Sequence, residues 1–440
     1  MAESEHQLYL HHEKIYPREV HGKFAFFRLT GVVGLLGLYY VIPWLNWDGR
    51  QAVLFDLPGR KFFIFNFVIW PQELYFLAAL LVILGIALFL FTAVAGRLWC
   101  GYACPQTVWT EVFLWIERRI EGDRPQQMKL DRSGLSFNKV WRKSVKHAGW
   151  LVVSIVTAIT FVGYFKPIDE LCLELIGLSL HPWPLFWVFF FTTATYVNAG
   201  WMREQVCLYM CPYARFQSAM FDPDTLIISY DTSRGEPRGG RQRGIDPRTQ
   251  GLGDCINCKM CVQVCPTGID IRDGLQYECI GCAACVDACD GIMEKMNYPK
   301  GLIRYTTENL LNNKPSRIIR PRSVVYSLIL MILVSGVSYG LLTKDLVEID
   351  ILRDRNVLYR EVVGGIENVY IARILNKDES DHRFVIAIEG LDDPQIYVDE
   401  EQLSVPSGGV SDVTLTVRAD VDFSGSRDMV VRIEAVDNPR

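Results

Sequence analysis

The chain has 440 residues, half of them hydrophobic and 22% charged, with a mean hydropathy of +0.14, so it has room for several domains and gathers its apolar residues into blocks. A net charge of −5 argues against a general nucleic-acid binder, and 13 cysteines in a chain of this length argue against a small secreted disulfide scaffold.

Residues 1–25 form a polar N-terminal segment that carries His6, His11, His12 and His21. No fixed ligand spacing links these histidines, so the segment reads as a solvated cytoplasmic tail, and no signal peptide is apparent. Residues 26–228 hold four blocks long enough to cross a bilayer, near 26–45, 75–95, 150–165 and 185–201, and a fifth lies at 324–342. Trp44, Trp47, Trp70, Trp99, Trp183 and Trp201 stand at block ends, as an interfacial aromatic belt requires. The loop 97–146 carries ten Lys and Arg, the loop 46–74 three and the loop 166–184 one. The positive-inside bias therefore predicts a cytoplasmic N-terminus and a cytoplasmic 97–146 loop, and an odd number of spans sends 344–440 to the periplasmic side of a bacterial inner membrane.

Blocks two and four run into the same signature. Cys100 and Cys104 precede Pro105, and Cys207 and Cys211 precede Pro212, so both copies read CxxxCP. Residues four apart share a helical face, so each pair is expected to present two thiols side by side, with the proline disrupting the helix just beyond them. Four thiols at one membrane depth suit a soft metal such as Cu(I), or a dithiol–disulfide couple; the plainer alternative is that they are small buried hydrophobes. Cys172 has no partner nearby in sequence and reads as packing.

Residues 229–253 are rich in Arg, Gly, Asp and Pro, lack apolar periodicity, and read as a flexible linker. Residues 254–300 then repeat one cysteine spacing: Cys255, Cys258, Cys261 and Cys265, followed by Cys279, Cys282, Cys285 and Cys289. This is the ligand run of a two-cluster bacterial ferredoxin, in which the fourth cysteine of each run crosses to the other cluster. The spacing assigns one [4Fe–4S] cluster to Cys255, Cys258, Cys261 and Cys289, and the other to Cys279, Cys282, Cys285 and Cys265. A zinc ribbon or disulfides fit it poorly. A cytoplasmic connector at 301–322 leads to the fifth span at 323–343. Residues 344–440 alternate in short stretches near 368–375, 383–389, 410–417 and 429–435, with turn residues between them, which predicts an immunoglobulin-like β-sandwich. Its 11 Lys and Arg against 21 Asp and Glu make it acidic, and it reads as a partner-docking module.

The predicted fold class is thus a multidomain membrane protein: a five-helix transmembrane bundle, a cytoplasmic two-cluster ferredoxin-like α+β insert and a C-terminal immunoglobulin-like sandwich. That combination, with both CxxxCP pairs and the stretch Ile15, Tyr16, Pro17 and Arg18, resembles the cytochrome c oxidase accessory protein family of the FixG/CcoG type. The resemblance covers essentially the whole chain. It implies a polyferredoxin-like protein of cbb3-type oxidase assembly that reduces Cu(II) to Cu(I), with two [4Fe–4S] clusters on the eight ferredoxin cysteines and copper at Cys100, Cys104, Cys207 and Cys211. The partners then expected are oxidase assembly components, copper chaperones or transporters, a cytoplasmic electron donor and membrane lipid, with no nucleic acid; a homodimer is left open. Two other readings remain at this stage: an electron carrier between quinol or a cytoplasmic donor and a partner reductase, and a non-catalytic assembly factor.

Overall fold

The computed structural model describes residues 14–47, 49–242, 247–353, 359–363, 365–378, 380–389, 395–398, 403–419 and 428–436. His6, His11 and His12, part of the 229–253 stretch and several turns of the tail lie outside these residues. The chain divides into two units, Met1–Ser335 and Gly336–Arg440.

The first unit opens with helix α1, Lys23–Val41, whose N-cap is Gly22 and therefore has no side chain to satisfy the first amides. The Asp287 carboxylate fills that role from the ferredoxin region: it accepts the N–H groups of Phe24 and Ala25 at 3.1 and 2.7 Å. Asp287→Ala is expected to cost about 2 kcal/mol, the usual worth of a hydrogen-bonded charged cap, and to speed hydrogen exchange at Phe24 and Ala25 ahead of the rest of α1. Unchanged exchange at those two amides would contradict the capping role.

Helix α2, Leu74–Ala95, follows a small three-stranded antiparallel meander built from Val53–Asp56, Lys61–Ile64 and Phe67–Ile69. Trp70 ends that meander and is buried under the Lys61 ammonium at 4.7 Å, so it departs from the expected exposed belt, whereas Trp44, Trp47, Trp99, Trp183 and Trp201 are exposed. The chain then forms α3 (Leu98–Tyr102), α4 (Pro105–Glu121), α5 (Arg124–Arg132), α6 (Phe137–Val162), α7 (Ile168–Ile176), α8 (Pro182–Thr195) and α9 (Pro212–Met220). The third expected span is the apolar end of the longer helix α6, whose start is basic and is capped by Ser136 accepting the Lys139 amide. The fourth block is α-helical for 14 residues and then continues as π-helix over Tyr196–Met202. Among the described residues four helices are long and apolar enough to cross a membrane: Lys23–Trp44, Pro71–Ala95, Phe137–Val162 and Pro321–Leu342. Their outer faces expose Val33, Leu38, Leu81, Leu84, Met331 and Ile332, a surface compatible with a membrane and costly in water.

The ferredoxin region packs the short helix Met260–Gln263 and the helix Ala284–Met296 around a core that includes Ile228, Ile271, Val286, Met293 and Leu302. The expected linker is a correction. Its start belongs to strand Ile227–Tyr230, which pairs antiparallel with Ile303–Thr306, and Arg234 further on holds Asp254 at 2.5 Å. The strand Ile227–Tyr230 is only four residues long and does not alternate apolar with polar, so it does not stand out beside the Arg- and Gly-rich run that follows.

The second unit holds two sheets. One places Gly365–Asn376 between Val347–Arg353 and Val410–Ala419, with Gln395–Val398 at its edge; the other is Leu403–Val405, His382–Glu389 and Val430–Ala435. Ile374, Phe384, Leu403, Val405 and Val413 form the core between them, which is the immunoglobulin-like sandwich expected from the alternation.

Candidate functional site

The ferredoxin thiols line two cavities. Cys255, Cys258, Cys261 and Cys289 line one, along with Ile292, Met293 and Leu302. Cys265, Cys279, Cys282 and Cys285 line the other, together with Cys261, Ile228 and Ile271. Each cavity thus takes three cysteines of one run and the fourth of the other, and Cys261 borders both. The two halves also share local backbone: Lys259, just after Cys258, and Ala283, just after Cys282, both take φ +57° and start a helix. A left-handed residue at that position turns successive amides inward, which suits an anionic sulfide cluster. Burial pushes the Cys279 and Cys289 thiols up to about 12 and Cys261 up to about 11. Left alone these thiols are protonated and inert; a soft metal group draws them to thiolate. Soft donors, apolar walls and inward amides all fit [4Fe–4S] clusters.

Of the CxxxCP thiols, Cys100 and Cys207 sit beside the second cavity. Here the helical-face expectation needs correction. Helix α3 ends at Tyr102, and Cys104 has left it to become the extended N-cap residue of α4, with Pro105 at the first helical position. Cys211 and Pro212 repeat this at α9. The prolines initiate new helices, where their fixed φ is an advantage, instead of disrupting old ones. The second copy carries one more residue between its buried arginine (Arg203) and first cysteine than the Arg97 copy does, and the backbone there is π-wound over Tyr196–Met202 and Val206–Met210.

The four thiols are mutual neighbours outside the apolar spans. Cys207 is pushed up to about 12, first by burial and then by the charges of Cys104, Cys100 and Cys211; Cys100 is pushed up to about 11 by burial and Cys104, against the pull of Arg97. The Cys100 thiol donates to Gln217 Oε1 at 3.3 Å. Gln106 ties the copies together by donating to the carbonyls of Asn198 and Arg203 at 2.8 and 3.0 Å. Among the described residues no three His, Cys, Asp or Glu side chains converge to hold a single metal ion. The eight ferredoxin thiols surround spaces suited to a larger group, and the four CxxxCP thiols do not form a preassembled mononuclear site.

The thiol group and the second cavity touch through backbone. A Cβ at Gly101 would lie 2.8 Å from Cys282 Cα and N, and one at Gly281 would lie 3.0 Å from the Arg97 carbonyl. Arg97 donates to the carbonyls of Tyr277, Cys279 and Ala214, so one buried guanidinium clamps the first copy to the ferredoxin loop and to α9. Cys100 and Cys207 pack on Cys282, Val264 and Ala284. A cleft of about 80 Å³ with a mostly apolar lining opens onto Cys207 and Cys282; its charged border is Arg18, Arg28, Arg118 and Arg203 with Glu111 and Glu204. That volume has room for a few waters or a hydrated ion, and is far below the roughly 300 Å³ at which cofactor-sized pockets begin. Sequence reasoning did not single out Arg97, Gly101, Gln106, Arg203 or Gln217; the buried arginine ahead of each cysteine pair is the signal that would have found two of them.

Comparison with known proteins agrees with this anatomy. Residues 202–308 match a 4Fe-4S dicluster domain, residues 77–122 a 4Fe-4S binding domain, and residues 337–440 the IG-like fold at the C-terminus of FixG. Protein RdxA of Cereibacter sphaeroides is 42% identical over 402 residues, which cover 87% of this chain and 84% of that protein. The chain belongs to the FixG family. Nitrogen fixation protein FixG of Rhizobium meliloti is 40% identical over 422 residues, covering 87% of this chain and 80% of the relative. A crystal structure of a FixG-related protein from Vibrio parahaemolyticus shares 26% identity over 22% of this chain and 88% of its own, with a TM-score of 0.20. This FixG-family chain is accordingly an iron–sulfur redox protein with a ferredoxin-like dicluster region and an immunoglobulin-like tail.

Proposed function

We propose that the chain is an inner-membrane oxidoreductase that reduces Cu(II) to Cu(I) for assembly of a cbb3-type cytochrome c oxidase. The observation that carries this reading is the packing of Cys100 and Cys207 against Cys282, Val264 and Ala284 at the cavity of Cys265, Cys279, Cys282 and Cys285, with Cys104 and Cys211 beside those two thiols. Cys255, Cys258, Cys261 and Cys289 would hold one [4Fe–4S] cluster, and the second cavity's thiols the other. When bound, these clusters supply one-electron transfer. The chain's own residues then set the outcome at copper. The buried thiols offer soft sulfur, which favours Cu(I) over Cu(II) and makes reduction downhill, and a pair of thiolates suffices to hold the product.

In this reading α8 with its π-helical continuation is a fifth span. The N-terminus and ferredoxin region face the cytoplasm and a donor there, and the acidic tail faces the periplasm, where oxidase assembly components and copper chaperones or transporters would dock. A second reading has its own support. The 4Fe-4S binding domain match at 77–122 contains Cys100 and Cys104 and no other cysteine, which favours a further iron–sulfur centre on the four CxxxCP thiols. The fourfold Cys→Ser variant, read for copper reduction and iron content together, tests both.

A further inference from the structure

A groove of about 630 Å³ runs between α6 and α8, walled by Leu151, Ile155 and Phe189. Its volume falls in the range of small-molecule sites, and its walls are almost wholly apolar. Four polar side chains line it: His147, Thr192, Thr193 and Tyr196. The Tyr196 hydroxyl and His147 Nδ1 hydrogen-bond at 2.7 Å. Thr192 is only 9% exposed, and its hydroxyl has no hydrogen-bond partner among the described residues, although most threonines on such helices bond back to a carbonyl, as Thr193 does to Phe189. An unpaired hydroxyl in an apolar wall costs about 1–3 kcal/mol unless a ligand completes it. The helix also changes winding at Tyr196, and π-helical turns gather at functional sites.

We infer that this groove binds the headgroup of a lipophilic quinone. An apolar ring and tail suit the walls, and a quinone oxygen accepts a hydrogen bond from Thr192 or from the His147–Tyr196 pair. A phospholipid or detergent chain would fill the walls equally well but leave the Thr192 hydroxyl unanswered. The position also suits an electron carrier. His147 and Tyr196 both pack on Trp150, at 5.1 and 6.2 Å between ring centroids, and the Arg203 guanidinium lies 5.3 Å over that ring. Arg203 in turn borders the cleft that holds Cys207 and Cys282. The inference rests on the reading of the chain as a membrane electron-transfer protein and assigns the class of carrier that it meets in the bilayer.

The test is binding of a short-tailed alkyl benzoquinone to the full-length protein in quinone-free lipid nanodiscs, with empty nanodiscs as the blank and the matching alkylbenzene as competitor. Copper is omitted, so the outcome is independent of the copper step. Saturable binding is expected, poorly displaced by the alkylbenzene, weakened about tenfold by Thr192→Val and at least as much by His147→Gln, with the iron–sulfur absorption unchanged in both variants. Equal displacement by the alkylbenzene would make the groove a lipid-chain contact and overturn the inference. Wild-type affinity in both variants would do the same.

Discussion

Replacing Cys100, Cys104, Cys207 and Cys211 together by serine is expected to remove Cu(II) reduction and to leave the iron–sulfur absorption of the ferredoxin region in place. Serine nearly preserves volume but exchanges a soft donor for a hard one, so the site loses its preference for Cu(I). The fold should tolerate the change. Cys100 donates to Gln217 at 3.3 Å, a bond that a serine hydroxyl can retain, and neither Cys104 nor Cys211 caps its helix through its side chain. A fall in rate of about a hundredfold or more is expected, because losing even the outer partners of metal ligands costs 10–100-fold. Iron content separates the two readings of the thiols. With two clusters the wild type and the variant both hold about eight iron atoms per chain. A fall from about twelve to about eight in the variant would move the four thiols to a third cluster.

The largest effect on stability is expected at Glu117. Its side chain is fully buried in α4; Oε2 accepts from Arg203 at 2.7 Å, and Oε1 lies 3.5 and 3.6 Å from the ammonium groups of Lys146 and Lys14. Lys146 also reaches Glu121 at 2.9 Å, and Lys143 links Glu121 to Asp131 at 2.8 and 2.6 Å. Glu117→Gln keeps the shape but leaves buried cations uncompensated, at a cost of about 3–5 kcal/mol. Arg203 also stands at φ +40°, a conformation worth about 1–3 kcal/mol of strain, and its guanidinium contact with Glu117 helps to hold it there, four residues before Cys207. The variant should therefore lower the unfolding midpoint of the first unit and disturb the thiol group. Glu111→Gln, which removes a partly exposed pair with Arg118, should change stability by about 1 kcal/mol or less. Equal midpoints for the two variants would contradict the network.

The same network fixes a pH dependence. Burial pulls the Glu117 carboxyl up, but Arg203, Lys14 and Lys146 outweigh it and hold its pKa below the ordinary 4.5. Asp131 is likewise held well below the usual carboxylate range: burial opposes this, and hydrogen bonds from Lys143, Tyr16 and Lys14 prevail. Both groups are depressed in the folded chain, so their stabilisation is complete above the unfolded carboxylate pKa values. It is lost as pH falls below them toward the folded values. Glu117→Gln should flatten that acid limb.

The cysteine spacing made the ferredoxin region legible because eight soft ligands at fixed intervals admit few other uses. The tail was legible because alternation over stretches such as 368–375 and 410–417 maps directly onto half-buried strands. The apolar blocks were legible, but their winding was not: the π-helical turns after Thr195 lie where Gln106, far away in sequence, donates to the carbonyls of Asn198 and Arg203, which leaves no local pattern. The role of Pro105 and Pro212 was misread for a related reason. CxxxCP spacing is the same whether the proline ends one helix or begins the next, and only the extended Cys104 and Cys211 decide it. Trp70 was misplaced because a tryptophan beside an apolar block looks interfacial until the meander at 53–69 is known to cover it. The ion network was invisible to sequence reading, since Lys14, Glu117, Lys146 and Arg203 are far apart along the chain.

The most direct measurement is a single turnover. Protein with its clusters reduced under anaerobic conditions is mixed with one equivalent of Cu(II); Cu(I) formation, cluster absorption and free thiols are then followed together. The account predicts that Cu(I) appears in step with cluster reoxidation while the thiol count, taken after a Cu(I) chelator has stripped the metal, stays constant. Loss of thiols with the clusters still reduced would contradict it.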